Sequence, residues 1–291
     1  MQGVSILAIG SSTYGVWAYN LAKSIKHFHP DMPIQLVYEH GAIAGVDRSV
    51  FDCFIEINPA HSRRGGRLTP SYAKLNIYEY LPDWEKVMVL DGDTICMAGF
   101  DLLFDQVNES RPYAIQTWGT TLQKDGIYSD MMWMRIEKMR AIFDLPDQPI
   151  PGTNSSFQLL FMGGHAEAVY SDALDAYHHF ESNFSIHDMH MSWGRNKTHG
   201  VLPDELFFNA SLARRSGYDG LSPIKFHQVR EGSFKSVAEY CDQGFCFLGL
   251  WGDKTYNNAA VRQAYDMLVK KYTGKAGDAK ALLRQKFVTR N

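Results

Sequence analysis

Lys86–Phe104 reads KVMVLDGDTICMAGFDLLF, and its interpretation decides the fold. Val87–Leu90 is a short apolar run that ends abruptly in polar residues, the mark of a buried strand. Asp91 and Asp93 follow, with only Gly92 between them. Strand residues at i and i+2 share a face, so both carboxylates aim at one point beyond the strand's end. Gly92 removes side-chain bulk and lets the backbone turn. Two carboxylates that close repel each other unless a cation sits between them, and oxygen ligands suit Mg²⁺ or Mn²⁺. Such a cation would in turn carry a phosphate group. Asp and Gly are also ordinary turn residues. What sharpens the signal is that the pair closes a buried strand and precedes an apolar segment with its own Asp101.

The N-terminal part has the same alternation of strand and helix. Val4–Ile9 is an apolar run, and Gly10-Ser11-Ser12-Thr13 is a turn with good helix N-caps. A helix is predicted from about Tyr14 to Phe28, with Trp17, Leu21, Ile25 and Phe28 on one face and His29-Pro30-Asp31 ending it. Ile34–Tyr38 and Cys53–Ile57 read as further strands. Strand, helix and strand within ~35 residues form the βαβ unit of a parallel sheet, whose ligands bind beyond the carboxyl ends of the strands. The loop from Gly10 to Tyr14 and the Asp91/Asp93 pair lie at two such ends.

Composition bounds the rest. With 291 residues, 45% hydrophobic and 21% charged, the chain can bury one large core or form two small domains. A net charge of −3 excludes a general polyanion binder. Cys53, Cys96, Cys241 and Cys246 fit neither a disulfide framework nor a tetrahedral zinc site, which points to a reducing compartment. The longest apolar stretch, near Phe245–Trp251, is too short to span a bilayer, and the N-terminus lacks the basic region of a signal peptide.

Ser62-Arg63-Arg64-Gly65-Gly66-Arg67 is a basic loop before a predicted helix, Pro70–Tyr80, that carries Lys74. Arg67 and Lys74 flank that helix and are candidate phosphate contacts, whereas Arg63 and Arg64 read as an ordinary basic surface. Tyr113–Thr117 and Phe157–Met162 read as strands, and Arg135–Phe143 and Ala166–Phe180 as helices. His187 and His190 have an i, i+3 spacing but no nearby third ligand, so His187–His199 reads as a loop over the site. Leu202-Pro203-Asp204-Glu205 opens a helix to about Arg215, where both acids also suit the helix N-terminus electrostatically. Ile224–His227 is a short strand followed by Gly232 and Lys235. From Lys270 to Asn291 there are seven basic residues and one acid around Leu282, Leu283, Phe287 and Val288. Such a tail suits an anionic membrane surface or a nucleic acid, or else packs on the body with its charges outward.

Over about Val4 to Lys235 these segments resemble the GT-A glycosyltransferases of family eight, the glycogenin-like and lipopolysaccharide-galactosyltransferase-like enzymes. Ala8–Ile25, with Ile9 and Tyr14, is similar to that family's first nucleotide-binding segment. Ser71–Thr94, SYAKLNIYEYLPDWEKVMVLDGDT, resembles its best-known stretch. There Lys74 falls where a basic residue contacts the nucleotide, and Asp91, Gly92 and Asp93 match the metal-binding Asp-x-Asp. Asp204-Glu205 with Asn209 resembles the Asp-Gln-Asp-x-x-Asn segment beside the sugar. His227, Gly232 and Lys235 resemble the closing His-x-x-Gly-x-x-Lys-Pro-Trp motif. The chain departs from the pattern in lacking an acid near Gly10, in Glu205 for Gln and Leu206 for Asp, and in a longer final motif without Pro-Trp.

The resemblance implies an α/β fold of GT-A type with a mixed, mainly parallel sheet between helices, over residues 1–250, and a basic helical extension over 251–291. It implies transfer of a hexose from a nucleotide sugar, UDP-glucose or UDP-galactose, with retention of configuration. Asp91, Asp93 and His227 would hold Mn²⁺ or Mg²⁺. Ile9, Tyr14, Arg67, Lys74, Gly92, Gly232 and Lys235 would bind the donor, and Asp204 and Glu205 would act at the sugar. The acceptor is open among glycan, lipid-linked sugar, protein and modified nucleic acid. The expected location is the cytoplasm, with the tail as a contact to a membrane surface. A nucleotidyltransferase is the rival enzyme, though it usually carries a basic Gly-rich loop where this chain has Gly10-Ser11-Ser12-Thr13-Tyr14. A non-catalytic nucleotide-sugar binder of the same fold is the rival outside enzymes.

Overall fold

The computed structural model describes residues 1–122, 134–147, 150–189, 202–215, 227–228, 235–250 and 259–274. In chain order the strands are β1 Gln2–Ala8, β2 Ile34–Tyr38, β3 Cys53–Glu56, β4 Arg63–Arg64, β5 Arg67–Leu68 and β6 Lys86–Asp91, then β7 Thr94–Cys96, β8 Tyr113–Leu122, β9 Ile150–Phe161, β10 His227–Gln228 and β11 Phe247–Gly249. The helices are α1 Ser12–Phe28, α2 Pro59–Ser62, α3 Pro70–Leu75, α4 Ile136–Phe143, α5 Gly164–Asn183, α6 Asp204–Arg214, α7 Val237–Asp242 and α8 Ala259–Thr273. The fold is mixed α/β with a mostly parallel central sheet. It divides into two compact units, one of residues 1–58, 87–105 and 225–291, the other of 59–86 and 106–224.

In the first unit four strands run in the order β3-β2-β1-β6. β1–β2 and β2–β3 are parallel, from Val4 opposite Ile34 to Tyr38 opposite Glu56. β1, β2 and the centre of β6 are almost wholly buried, which explains why they read as continuous apolar runs. α1 buries Trp17, Ala18, Leu21, Ala22 and Ile25 on one face. Trp17 joins Ile95, Leu248, Val261, Tyr265 and Leu268 in one apolar cluster. Inside it the Asn20 amide donates to the Tyr265 hydroxyl at 3.1 Å, tying α8 to α1. A three-stranded sheet, β10-β11-β7, completes this unit; β10 and β11 are parallel, β11 and β7 antiparallel.

His29 ends α1 and fastens the segment after β7. Its Nε2 accepts from the Phe100 N–H at 3.0 Å, so its Nδ1 carries the proton and faces Asp101 Oδ1 at 3.1 Å. Asp101, read above as a third acid near the pair, is thereby engaged by His29.

The second unit is built on the antiparallel pair β8–β9, with α6 packed on β9 and α5 packed on α6. Phe143, Tyr177, Phe180 and Phe207 pack ring against ring there. The Ser211 hydroxyl donates to the Val169 carbonyl at 2.8 Å, locking α6 to α5.

Several predicted elements have other bounds, such as the Tyr113 strand, which runs on to Leu122, and two differ in kind or extent. The helix expected over Pro70–Tyr80 is α3 followed by a 3₁₀ turn, Ile77–Tyr80. Asn76 makes the break: its side-chain amide donates to the Tyr72 carbonyl at 2.8 Å, and its backbone N–H is shared between Tyr72 and Ala73. The strand expected at Phe157 begins at Ile150. Its stretch Thr153-Asn154-Ser155-Ser156 is polar yet at most 8% exposed, which the period-two rule for strands does not anticipate. The basic tail beyond residue 274 lies outside the described residues, as does the predicted loop His187–His199 from residue 190 on; its start is a 3₁₀ turn, Ile186–Asp188.

Candidate functional site

In the first unit, the residues singled out by sequence gather at the carboxyl ends of β1 and β6. Asp91 is the last residue of β6, and Gly92-Asp93 turn the chain into β7. Both acids are half-buried. Gly92 is required by close approach. A Cβ there would lie 2.8 Å from the Leu7 carbonyl oxygen, 3.3 Å from that of Tyr14 and 3.5 Å from Ala18 Cβ. The Gly92 N–H donates to that same Leu7 oxygen at 3.1 Å. The acidic turn is thus clamped between β1 and the first turns of α1. Gly92→Ala should force this contact apart, at a cost of ~1–3 kcal/mol. Urea denaturation measures the loss, and a variant as stable as the parent would show that the clamp yields freely.

Tyr14 stands on that first turn. Its ring lies over Gly10, whose φ of +129° and lack of Cβ accommodate it, and meets Trp17 edge-on at 5.3 Å between centroids. Ile9, just past β1, is 3% exposed and backs the same loop.

The small sheet brings distant sequence to the acidic turn. Thr94, next to Asp93, is opposite Gly249 on β11, and Gly249 is opposite Gln228 on β10. The Leu250 N–H donates to the Asp93 carbonyl at 2.8 Å. His227 is therefore two strand spacings, about 10 Å, from β7 at backbone level. Lys235 is 73% exposed and pairs with Glu239 at 3.1 Å one turn along. Gly232 lies outside the described residues.

A metal fits the donor set in part. Two carboxylates flanking one glycine suit a hard cation that completes its shell with substrate phosphate and water. Among the described residues no group of three His, Cys, Asp or Glu side chains is poised for a metal.

The second unit holds a different cluster. Lys74 on α3 reaches Asp204 Oδ2 at 3.6 Å and the Ser155 hydroxyl at 3.3 Å. The side chains of Lys74 and Asp204 are 15% and 7% exposed, so this ion pair is largely withdrawn from water. At 3.6 Å it is too long for a hydrogen bond, and Asp204 Oδ2 has no hydrogen-bond partner among the described residues. An unsatisfied buried carboxylate oxygen costs free energy unless a donor arrives. Asn209, one turn and a half along α6, accepts from both the backbone N–H and the hydroxyl of Thr153, at 3.1 and 2.6 Å. The Asn154 amide donates to Gln116 at 3.2 Å. Gln158 accepts from Tyr113 and Tyr170 at 2.6 and 2.7 Å. Burial raises the Tyr170 phenol well above its usual range, keeping it a neutral donor. Glu205 follows Asp204 and is half-buried.

Ser155, Asn154 and Gln116 were absent from the sequence-derived set. The polar run before an apolar strand was the one sequence signal for Asn154 and Ser155, and Gln116 had none. Arg67, expected near phosphate, stands exposed on the β4–β5 hairpin.

A mixed α/β fold with a mostly parallel central sheet is the architecture that this chain shares with GT-A glycosyltransferases. No protein-family model and no curated protein matches the sequence. Solved structures do match. LgtC, a galactosyltransferase solved with donor and acceptor sugar analogues, superposes over 97% of this chain and 100% of its own, with a TM-score of 0.53 at 15% identity. The bifunctional glycosyltransferase WbbM gives 0.58 at 12% identity over 97% of this chain, which spans about half (51%) of WbbM. Mouse xyloside xylosyltransferase 1 gives 0.50 at 14% identity over 87% of this chain and 99% of its own. At these identities the likeness carries the fold.

Proposed function

We propose that this protein is a metal-dependent glycosyltransferase that moves a hexose from a UDP-sugar to an acceptor hydroxyl, with retention of configuration. The single observation that carries the reading is Asp204: a buried carboxylate paired with Lys74, with one oxygen that no described residue hydrogen-bonds. A sugar hydroxyl supplies the missing donor, and the Ser155 hydroxyl, which Lys74 reaches at 3.3 Å, is a further polar group beside the pair. The structural likeness to LgtC, WbbM and xyloside xylosyltransferase 1, all glycosyltransferases, supports the same class.

In this reading Asp91 and Asp93, with His227, would hold Mn²⁺ or Mg²⁺, and the ion would supply positive charge beside the donor's diphosphate. The Gly92 clamp keeps the two carboxylates from swinging apart. Tyr14 offers a ring face to the base at the end of β1. Lys74 keeps Asp204 in place, and Glu205, next on the first turn of α6, is the carboxylate assigned to the anomeric centre. Lys235 adds charge near the donor. The four cysteines are all free, which supports a reducing compartment, and no helix among the described residues is long and apolar enough to cross a membrane.

Incubating the purified chain with UDP-glucose and UDP-galactose, with and without Mn²⁺, tests the reading. Release of UDP that requires the metal and grows with added acceptor glycans is expected. Pyrophosphate release from nucleoside triphosphates, or donor binding without turnover under any acceptor, would assign it to a nucleotidyltransferase or a binding protein instead.

A further inference from the structure

The β4–β5 hairpin carries a charge arrangement that the proposed reaction leaves unexplained. Gly65 and Gly66 form its two-residue turn, with φ of +54° and +76°. Positive φ at both centres is the type I′ geometry that matches strand twist, so the hairpin is well formed despite its shortness. Arg64 and Arg67 face each other directly across it. Directly opposed residues project to one side, and like charges there repel.

Only one of the two arginines is neutralised. Arg64 Nε donates to Glu181 Oε1 at 3.0 Å, and its Nη2 donates to Oε2 of the same carboxylate. Its guanidinium also lies over the Tyr72 ring, 5.0 Å from the centroid, and Tyr72 packs on Tyr177 of α5. Both oxygens of Glu181 are thus engaged by Arg64. Arg67 is exposed, with no side-chain partner among the described residues. Glu181 offsets the charge of Arg64, so among the described residues the guanidinium left open across the hairpin is that of Arg67. An anion on the Arg67 side would meet one exposed guanidinium beside one that is already fixed.

We propose that this hairpin is a docking point for a phosphate group, received by the Arg67 guanidinium beside the fixed Arg64. A guanidinium fork matches two phosphate oxygens, and a hairpin stapled to α5 through Arg64 presents that fork without a large ordering cost. The group is a phosphomonoester or diphosphate carried by a sugar or a nucleotide. The site goes beyond the proposed reaction and does not depend on the Asp91/Asp93 turn.

The test follows the amide resonances of Gly65 and Gly66 in the full-length protein during titration with inorganic phosphate at low ionic strength. Saturable shifts in the millimolar range are expected, absent when chloride replaces phosphate at equal ionic strength. Arg67→Ala should weaken the apparent affinity tenfold or more. Glu181→Gln should tighten it severalfold, because it frees the Arg64 fork for the incoming anion; a merely structural role of the ion pair predicts no such gain. Asp93→Asn should leave the titration unchanged, which separates this site from the donor reading. Parallel titrations with glucose 6-phosphate and UDP show which carrier brings the group, the tighter ligand naming the source. Shifts reproduced by chloride, an unchanged Arg67→Ala titration, or weaker binding in Glu181→Gln would each overturn the proposal.

Discussion

Asp93→Asn is expected to reduce sugar transfer by ~10³-fold or more while leaving the fold intact, because an amide cannot balance a divalent cation's charge. The fold should survive because what Asp93 contributes to the small sheet is its backbone carbonyl, which accepts from the Leu250 N–H at 2.8 Å. The neighbouring clamp at Gly92 is also a backbone feature. Far-ultraviolet circular dichroism and a urea titration check the fold, and UDP release with Mn²⁺ checks the activity. Full turnover in this variant, or in the parent under EDTA, would remove the metal from the mechanism. An unfolded variant would instead give the side chain a structural role in the turn.

The second large effect concerns Lys74 and Asp204, and here the sign of a double substitution is the diagnostic. Lys74→Met should cost about 3 kcal/mol of stability, since it strands a carboxylate that is 7% exposed without its counter-charge. Asp204→Asn alone removes the negative charge facing the lysine, and it is expected to lower turnover by ~10²-fold by weakening the proposed hydrogen bond to the sugar. The double variant removes both charges. It should recover most of the stability lost in Lys74→Met, and none of the activity. Urea midpoints and steady-state rates on the three variants give the answer. If the double variant is no more stable than Lys74→Met, the 3.6 Å pair is not an energetic unit. If Asp204→Asn turns over like the parent, the buried oxygen is not a substrate contact.

The strand-forming parts of the chain were legible because their physics is local. Val87–Leu90 is apolar throughout and becomes the buried centre of β6, and Ile34–Tyr38 becomes β2 with the same ends. The alternation of strand and helix over the first sixty residues led to a parallel sheet for the same reason, since no short turn can join parallel strands. The Asp-Gly-Asp turn was legible as chemistry. Its glycine, however, was read as freedom to turn, and the structure gives it a second reason in the carbonyl of Leu7 and the first turns of α1.

Elsewhere the local signal pointed away from the outcome. Thr153-Asn154-Ser155-Ser156 has the composition of a loop, and α6 and β8 make it part of a buried strand by supplying Asn209 and Gln116 as partners. Lys74 was legible as a cation beside an acidic strand. Its partners Ser155, 81 positions away, and Asp204 were not, because nothing in either neighbourhood encodes the other. Arg64 reads as one basic residue among several until Glu181, 117 positions on, engages both sides of its fork. What this sequence determined by itself was therefore the set of elements, the class of sheet and the acidic turn, all of which follow from hydrophobic pattern and backbone preference over a few residues. What the tertiary structure alone decided was which charges are neutralised and which polar atoms stay open. That choice depends on pairings between elements far apart in the chain, where the cost of burying an unpartnered polar group, rather than any local propensity, selects the arrangement.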